Sequence, residues 1–146
     1  MGTHSLQQHA NTAWAATLTR LSLGVMYLSH AGLKLFVFTL PGTVQFFTSV
    51  GFPGWMAYAV VAAELVGGVL LLIGWRTRWV VLALIPILLG AVAVHWGHGW
   101  VFSAPGGGWE FPAYLVVWSC VQALLGEGAF ALSNGTRTAP PTLRPT

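Results

Sequence analysis

The stretch WMAYAVVAAELVGGVLLLIGWRTRWVVLALIPILLGAVAVHW, residues 55–96, decides the architecture. It holds two apolar runs, Trp55–Trp75 and Trp79–Trp96, separated only by Arg76, Thr77 and Arg78. Each run is close to the ~20 residues that a helix needs to cross a bilayer. Tryptophan marks both ends of both runs, where an amphipathic ring sits well among lipid headgroups. A connection this short makes the two helices antiparallel neighbours.

Working outward, a third run covers about Leu18–Phe38 and a fourth about Pro112–Leu132. These runs take up most of the 146 residues, which leaves no room for a separate soluble domain. Charged residues make up 6% of the chain, against about 25% in soluble domains. The sequence therefore predicts an all-α membrane protein, a four-transmembrane-helix bundle, with spans at about 18–38, 55–75, 79–96 and 112–132. Residues 1–17 read as a cytoplasmic N-terminal segment. They are no signal peptide, since 1–12 carry no Lys or Arg and the first apolar run reaches spanning length. Residues 133–146, rich in Ser, Thr and Pro, read as a disordered cytoplasmic tail. Between the first two spans, Val44, Phe47 and Val50 share one helical face, which predicts a short interfacial helix over 43–50 ended at Gly51.

Positive charge sets the orientation. With four spans, Arg20, Arg76, Arg78, Arg137 and Arg144 fall on the face that carries the termini, and Lys34 falls on the other. The positive-inside rule then puts both termini in the cytoplasm. The net charge of +3 has no basic cluster behind it, so a nucleic-acid partner is excluded and the lipid bilayer is the partner composition demands. The single cysteine, Cys120, allows no internal disulfide.

An ionisable residue inside a span costs at least about 2.5–3.5 kcal/mol and should face the bundle interior with a partner. Arg20, Tyr27 and Lys34 lie seven residues apart, and His30 joins their stripe. Glu64 lies near mid-span beside Gly67 and Gly68, and Ala59, Ala63 and Gly67 form a small-residue ridge suited to close helix approach. His95 ends the third span, with Pro86 inside it, and Trp109-Glu110 precede the fourth. By depth, His30, Lys34, Glu64, His95 and Glu110 all fall in the outer half. They can converge on one pocket, with His30, Lys34 and Glu64 as candidate catalytic residues and Tyr27, His95, Trp109 and Glu110 as candidate ligand-binding residues. Plainer readings compete: Lys34 snorkels or pairs with Glu110, and Glu64 is protonated or paired with Lys34 or His30. No motif with metal-ligand spacing is present, and His30 and His95 fall at different heights, which argues against haem.

The ordered series Arg20, Gly24, His30-Ala31-Gly32-Leu33-Lys34, Gly51-Phe52-Pro53, Ala63-Glu64-Leu65-Val66-Gly67-Gly68, Gly74-Trp75-Arg76-Thr77-Arg78, His95, Gly108-Trp109-Glu110 and Gly126-Glu127-Gly128 resembles the DoxX family of small bacterial membrane proteins. Many members run on to an Asp after the last motif, where this chain has Ala131-Leu132-Ser133-Asn134. The resemblance implies a four-helix bundle in the bacterial plasma (inner) membrane. It also implies kinship with membrane subunits of thiosulfate:quinone oxidoreductase, and so a quinone as cofactor and a protein partner subunit or a homo-oligomer. His30, Lys34 and Glu64 suit a quinone head, which needs donors at its carbonyl oxygens and a proton route. Trp109 or Phe111 suits stacking on its ring. The lone cysteine excludes a dithiol mechanism. Two other functions remain open on the residues alone: a small proton-coupled transporter built on Glu64, and a non-catalytic scaffold for an oxidoreductase partner.

Overall fold

The computed structural model describes residues 2–135, and every regular element in that range is helical. Helix α1 runs Gly2–Gly32 and passes into a π-helical turn, Leu33–Val37; α2 follows at Leu40–Ser49, α3 at Trp55–Ile73 and α4 at Thr77–His95. A single tight turn, Trp96–His98, leads to the loop before α5 (Glu110–Leu125), and α6 (Leu132–Gly135) is one helical turn. Two helices, Trp55–Ile73 and Thr77–His98, are long and apolar enough to cross a membrane. A third span is gained if the bent pair Leu6–Val37 and Leu40–Ser49 is counted as one.

The fourth expected run, 112–132, is cut short. Helix α5 has 16 residues, about 24 Å, against a hydrocarbon core of about 30 Å. It stops because Gly126 takes φ 81° and Gly128 φ 77°, a left-handed backbone that ends a helix. The chain then folds back on α1: the Ala129 N–H donates to Ala13 O at 3.2 Å, and the Thr17 hydroxyl donates to Ala129 O at 3.1 Å. At the other end of the sequence, α1 begins well before the expected Leu18 because residues 3–23 contain neither Gly nor Pro to break it. The reading of 133–146 as disordered falls, from residue 136 onward, outside the described residues.

The short interfacial helix starts earlier than expected, at Leu40, because Pro41 fits its first turn and the Thr39 hydroxyl accepts from Gly42 N at 3.3 Å. The axis bends by 101° between α1 with its π turn and α2. Thr43 pins that bend by donating from one hydroxyl to Thr39 O at 2.9 Å and Lys34 O at 3.2 Å.

Helix α1 packs along α3 and α5, α4 packs along α5 and α3, and α2 lies on α3. The α1–α3 contact is close because glycine faces glycine: a Cβ on Gly24 would stand 3.1 Å from Gly68 O, and one on Gly68 would stand 3.1 Å from Gly24 O. Of the expected Ala59–Ala63–Gly67 ridge, Ala59 is exposed, Ala63 is half-buried and Gly67 is buried against Leu84 of α4; the buried stripe of α3 is Ala57, Val61, Glu64, Gly67, Gly68 and Leu71. The core joins Leu23 and Tyr27 of α1 to Leu71, Val81, Leu84, Leu88 and Leu115.

At the end of the bundle where α3 turns into α4, Arg20 is buried to 2% exposure. Its guanidinium donates to Leu71 O at 2.7 Å and Leu72 O at 2.8 Å, closing the last turn of α3, where carbonyls lack helical partners. Beside it, Glu127 accepts from Thr77 N at 2.9 Å and caps the start of α4.

Candidate functional site

The far end of the molecule is organised by Lys34. It sits in the π-helical turn, where Phe38 N donates back five residues to Leu33 O at 2.9 Å. Such turns add a residue to the helix and recur at functional sites. The Lys34 ammonium donates to both oxygens of Glu64, at 2.8 and 2.9 Å. The pair is sheltered, with side-chain exposures of 19% for Lys34 and 6% for Glu64. An ammonium has three N–H donors; Glu64 engages two, and one is left for another acceptor.

One turn before Lys34, His30 places Nδ1 3.0 Å from Met26 O. A carbonyl only accepts, so Nδ1 carries the proton and Nε2 is left as the second ring position for a ligand or a proton. The imidazole stacks on Phe111 of α5, with centroids 5.8 Å apart and planes at 16°.

These groups border a cavity of about 570 Å³, within the ~300–1,000 Å³ typical of small-molecule sites. The polar groups Tyr27, His30, Lys34, Glu64 and His95 all line it, but most of its surface is apolar. Helix α2 and the residues after it supply an aromatic cover of Phe46, Phe47 and Phe52. Helix α4 contributes Pro86, Gly90 and Ala91, which leave room, beside the larger Ile87, Leu88 and Val94. The loop before α5 adds Phe102 and Gly107–Gly108, and His95 holds that loop through Nδ1, 3.0 Å from Gly106 O.

The structure thus brings Tyr27, His30, Lys34, Glu64 and His95 together. It does not bring in Trp109 and Glu110. Trp109 stacks on Trp96 at 4.7 Å and meets Trp100 edge-on at 4.5 Å, forming a separate aromatic cluster. Glu110 turns back to accept from Phe102 N at 3.1 Å, so it fixes the loop and is no partner for Lys34. The aromatic residue that reaches the cavity from α5 is Phe111. The cover supplied by α2 was legible only as an amphipathic face, because its 101° fold-back is set by the π turn and by Thr39, whose φ is 61°. Among the described residues, no three His, Cys, Asp or Glu side chains gather as a metal site requires.

Comparison with known proteins adds family evidence. The DoxX family model matches residues 15–96. The chain is 38% identical over 116 residues to a Bacillus subtilis (strain 168) protein named "Putative oxidoreductase CatD", covering 79% of this chain and 81% of that one. No solved structure matches significantly.

Proposed function

The chain belongs to the DoxX family of membrane proteins, and from that premise we propose that it is the membrane subunit of a quinone-linked oxidoreductase. The observation that carries the proposal is the sheltered Lys34–Glu64 pair facing, with His30, into a cavity otherwise lined by apolar and aromatic side chains. An apolar slot with a few convergent polar groups suits a flat, lipid-soluble ring with a polar atom at each end. Phe111 and the aromatic cover would hold the ring. The third Lys34 N–H and the His30 Nε2 would bind the carbonyl oxygens. Glu64 and His30 are the groups able to hold and release a proton there. A bound quinone would accept two electrons and two protons, with the electrons coming from a sulfur-containing reductant directly or through a partner subunit.

In this proposal α1, α3, α4 and α5 each cross the bacterial plasma membrane, with α5 and the residues after it completing a thin fourth span. Both termini lie in the cytoplasm, on the side of Arg20, Arg76 and Arg78, and the cavity opens toward the outer half. The 1–17 segment, the 18–132 membrane domain and the tail then divide the chain as composition suggests.

The test is binding and turnover in lipid nanodiscs. Decylubiquinone should bind saturably and quench tryptophan fluorescence, and thiosulfate with the partner fraction should reduce it. Glu64→Gln should retain binding and lose turnover. No saturable binding, together with unchanged behaviour of Glu64→Gln, overturns the proposal.

A further inference from the structure

Five buried polar atoms along the core make no hydrogen bond among the described residues: Arg20 Nε, Thr77 Oγ1, Gln122 Oε1, Ser119 Oγ and Tyr27 Oη. Thr77, Ser119 and Gln122 are fully buried, and Tyr27 is 1% exposed. An isolated group of this kind costs about 1–3 kcal/mol, so five within one set of apolar helices need an account.

Their order along the axis supplies it. Arg20 and Thr77 lie at the terminal end, with Glu127 bound to Thr77 N at 2.9 Å. Gln122 comes next, its amide donating to Gly126 O at 2.7 Å and leaving Oε1 turned inward. Ser119 lies one turn further along α5, about 4.5 Å by helical rise. The Tyr27 hydroxyl interacts with Ser119 without meeting hydrogen-bond geometry. Tyr27 also lines the cavity. Tyr27 belongs to the same buried cluster as Leu23, Leu71, Val81, Leu84 and Leu115. One water spans about 5.6 Å between two polar atoms, as two bonds of about 2.8 Å, and a buried water typically satisfies two to four such groups.

We propose that Thr77, Gln122, Ser119 and Tyr27 form a hydrated proton path from the Glu127 end of the molecule to the Lys34–Glu64 pair. Glu127 is half-buried and so reached by solvent at the entrance. Arg20 does not block the entrance, because its Nη1 is turned onto the α3 carbonyls and Glu127 offsets its charge. The path deepens the quinone reading and rests on it for its use. Each quinone reduced takes two electrons from the sulfur reductant and two protons from water, and the path delivers those protons from the terminal face. Thr77, Gln122 and Ser119 are positioning residues, since only Tyr27 reaches the cavity.

The experiment has two arms. In the first, the isotope-labelled full chain in nanodiscs is examined by water-edited solid-state NMR. Magnetisation from water should reach the Gln122 side-chain amide and the Tyr27 ring as fast as it reaches Glu127, and should not reach Leu71 or Val81. This arm needs no variant, and a dry Gln122 and Tyr27 overturn the path while leaving the quinone reading intact. In the second, proteoliposomes sorted by access to a tag on the chain's end carry a trapped pH dye while decylubiquinone is reduced with thiosulfate. Gln122→Leu should lower proton uptake at the terminal face by at least about tenfold, leave decylubiquinone affinity unchanged, and be rescued by Gln122→Glu. Uptake from the cavity side, indifferent to Gln122→Leu, also overturns the path. A wet core in a protein that neither binds nor reduces decylubiquinone supports the hydrated path and removes the quinone reading instead.

Discussion

Replacing Lys34 by methionine tests whether the ion pair is held by its own geometry or by its surroundings. At an N–O distance of 2.8 Å and an effective dielectric of about 20, the charges attract by about 6 kcal/mol before desolvation is subtracted. Desolvation of the two ions takes back several kcal/mol each, so the intact pair is close to neutral for stability. Methionine removes the attraction and leaves Glu64, 6% exposed, as a carboxylate among apolar groups. That penalty has a ceiling, because a carboxylate can always be neutralised by a proton from water. At pH 7 this costs about 1.36 kcal/mol for each unit above an ordinary carboxyl value near 4.3, or about 3.7 kcal/mol. Lys34→Met should therefore destabilise by up to about 3.7 kcal/mol at pH 7, and by only about 1 kcal/mol at pH 5, where the proton is cheaper to add. The double variant Lys34→Met/Glu64→Gln should lie within about 1 kcal/mol of wild type, so the two substitutions couple by about 2–3 kcal/mol when the Lys34→Met penalty reaches its ceiling. Reversible unfolding in mixed micelles at both pH values measures all three. Additive single-variant effects, or a Lys34→Met penalty that does not shrink at pH 5, would refute the reasoning.

Other changes separate neighbouring parts of the molecule. Gly68→Ala brings a Cβ within 2.7 Å of Leu28 Cγ and 3.1 Å of Gly24 O, so it should lower stability by about 1–3 kcal/mol in the same unfolding assay. Phe111→Ala removes the stacking partner of His30 and should weaken decylubiquinone binding by about 1 kcal/mol beyond lost area; Trp109→Phe, outside the cavity, should leave the affinity unchanged in a parallel titration. Arg20→Lys keeps the charge but not the fork, whose Nη1 donates to Leu71 O and Leu72 O while Nη2 reaches Ala129 O at 3.4 Å; it should destabilise nearly as much as Arg20→Met, by about 2 kcal/mol in thermal unfolding.

How much of this was legible beforehand differs from residue to residue. The helical class and the Trp55–Trp96 hairpin followed from apolar length, because an apolar run of about 20 residues matches a spanning helix, which satisfies every backbone polar group within itself. The inward stripe of Arg20, Tyr27, His30 and Lys34 followed from the 3.6-residue period, which places such residues on one face wherever the helix packs. The Lys34–Glu64 pair was one of several readings, since depth along a helix says which groups share a level and not which two meet. Glu110 shared that level too, yet the loop carries it to Phe102 N.

What the sequence determines here is local: length, periodicity and the glycine and proline positions that allow or end a helix, all set by covalent geometry and solvation of short segments. Which helices face each other, that α2 folds back as an aromatic cover, that Glu64 and not Glu110 meets Lys34, and that Gln122 Oε1 and Tyr27 Oη are buried without a hydrogen bond were decided by tertiary structure. Those outcomes depend on rotations of one helix about another, and these are fixed by close contacts such as Gly24 against Gly68, between residues far apart in the chain.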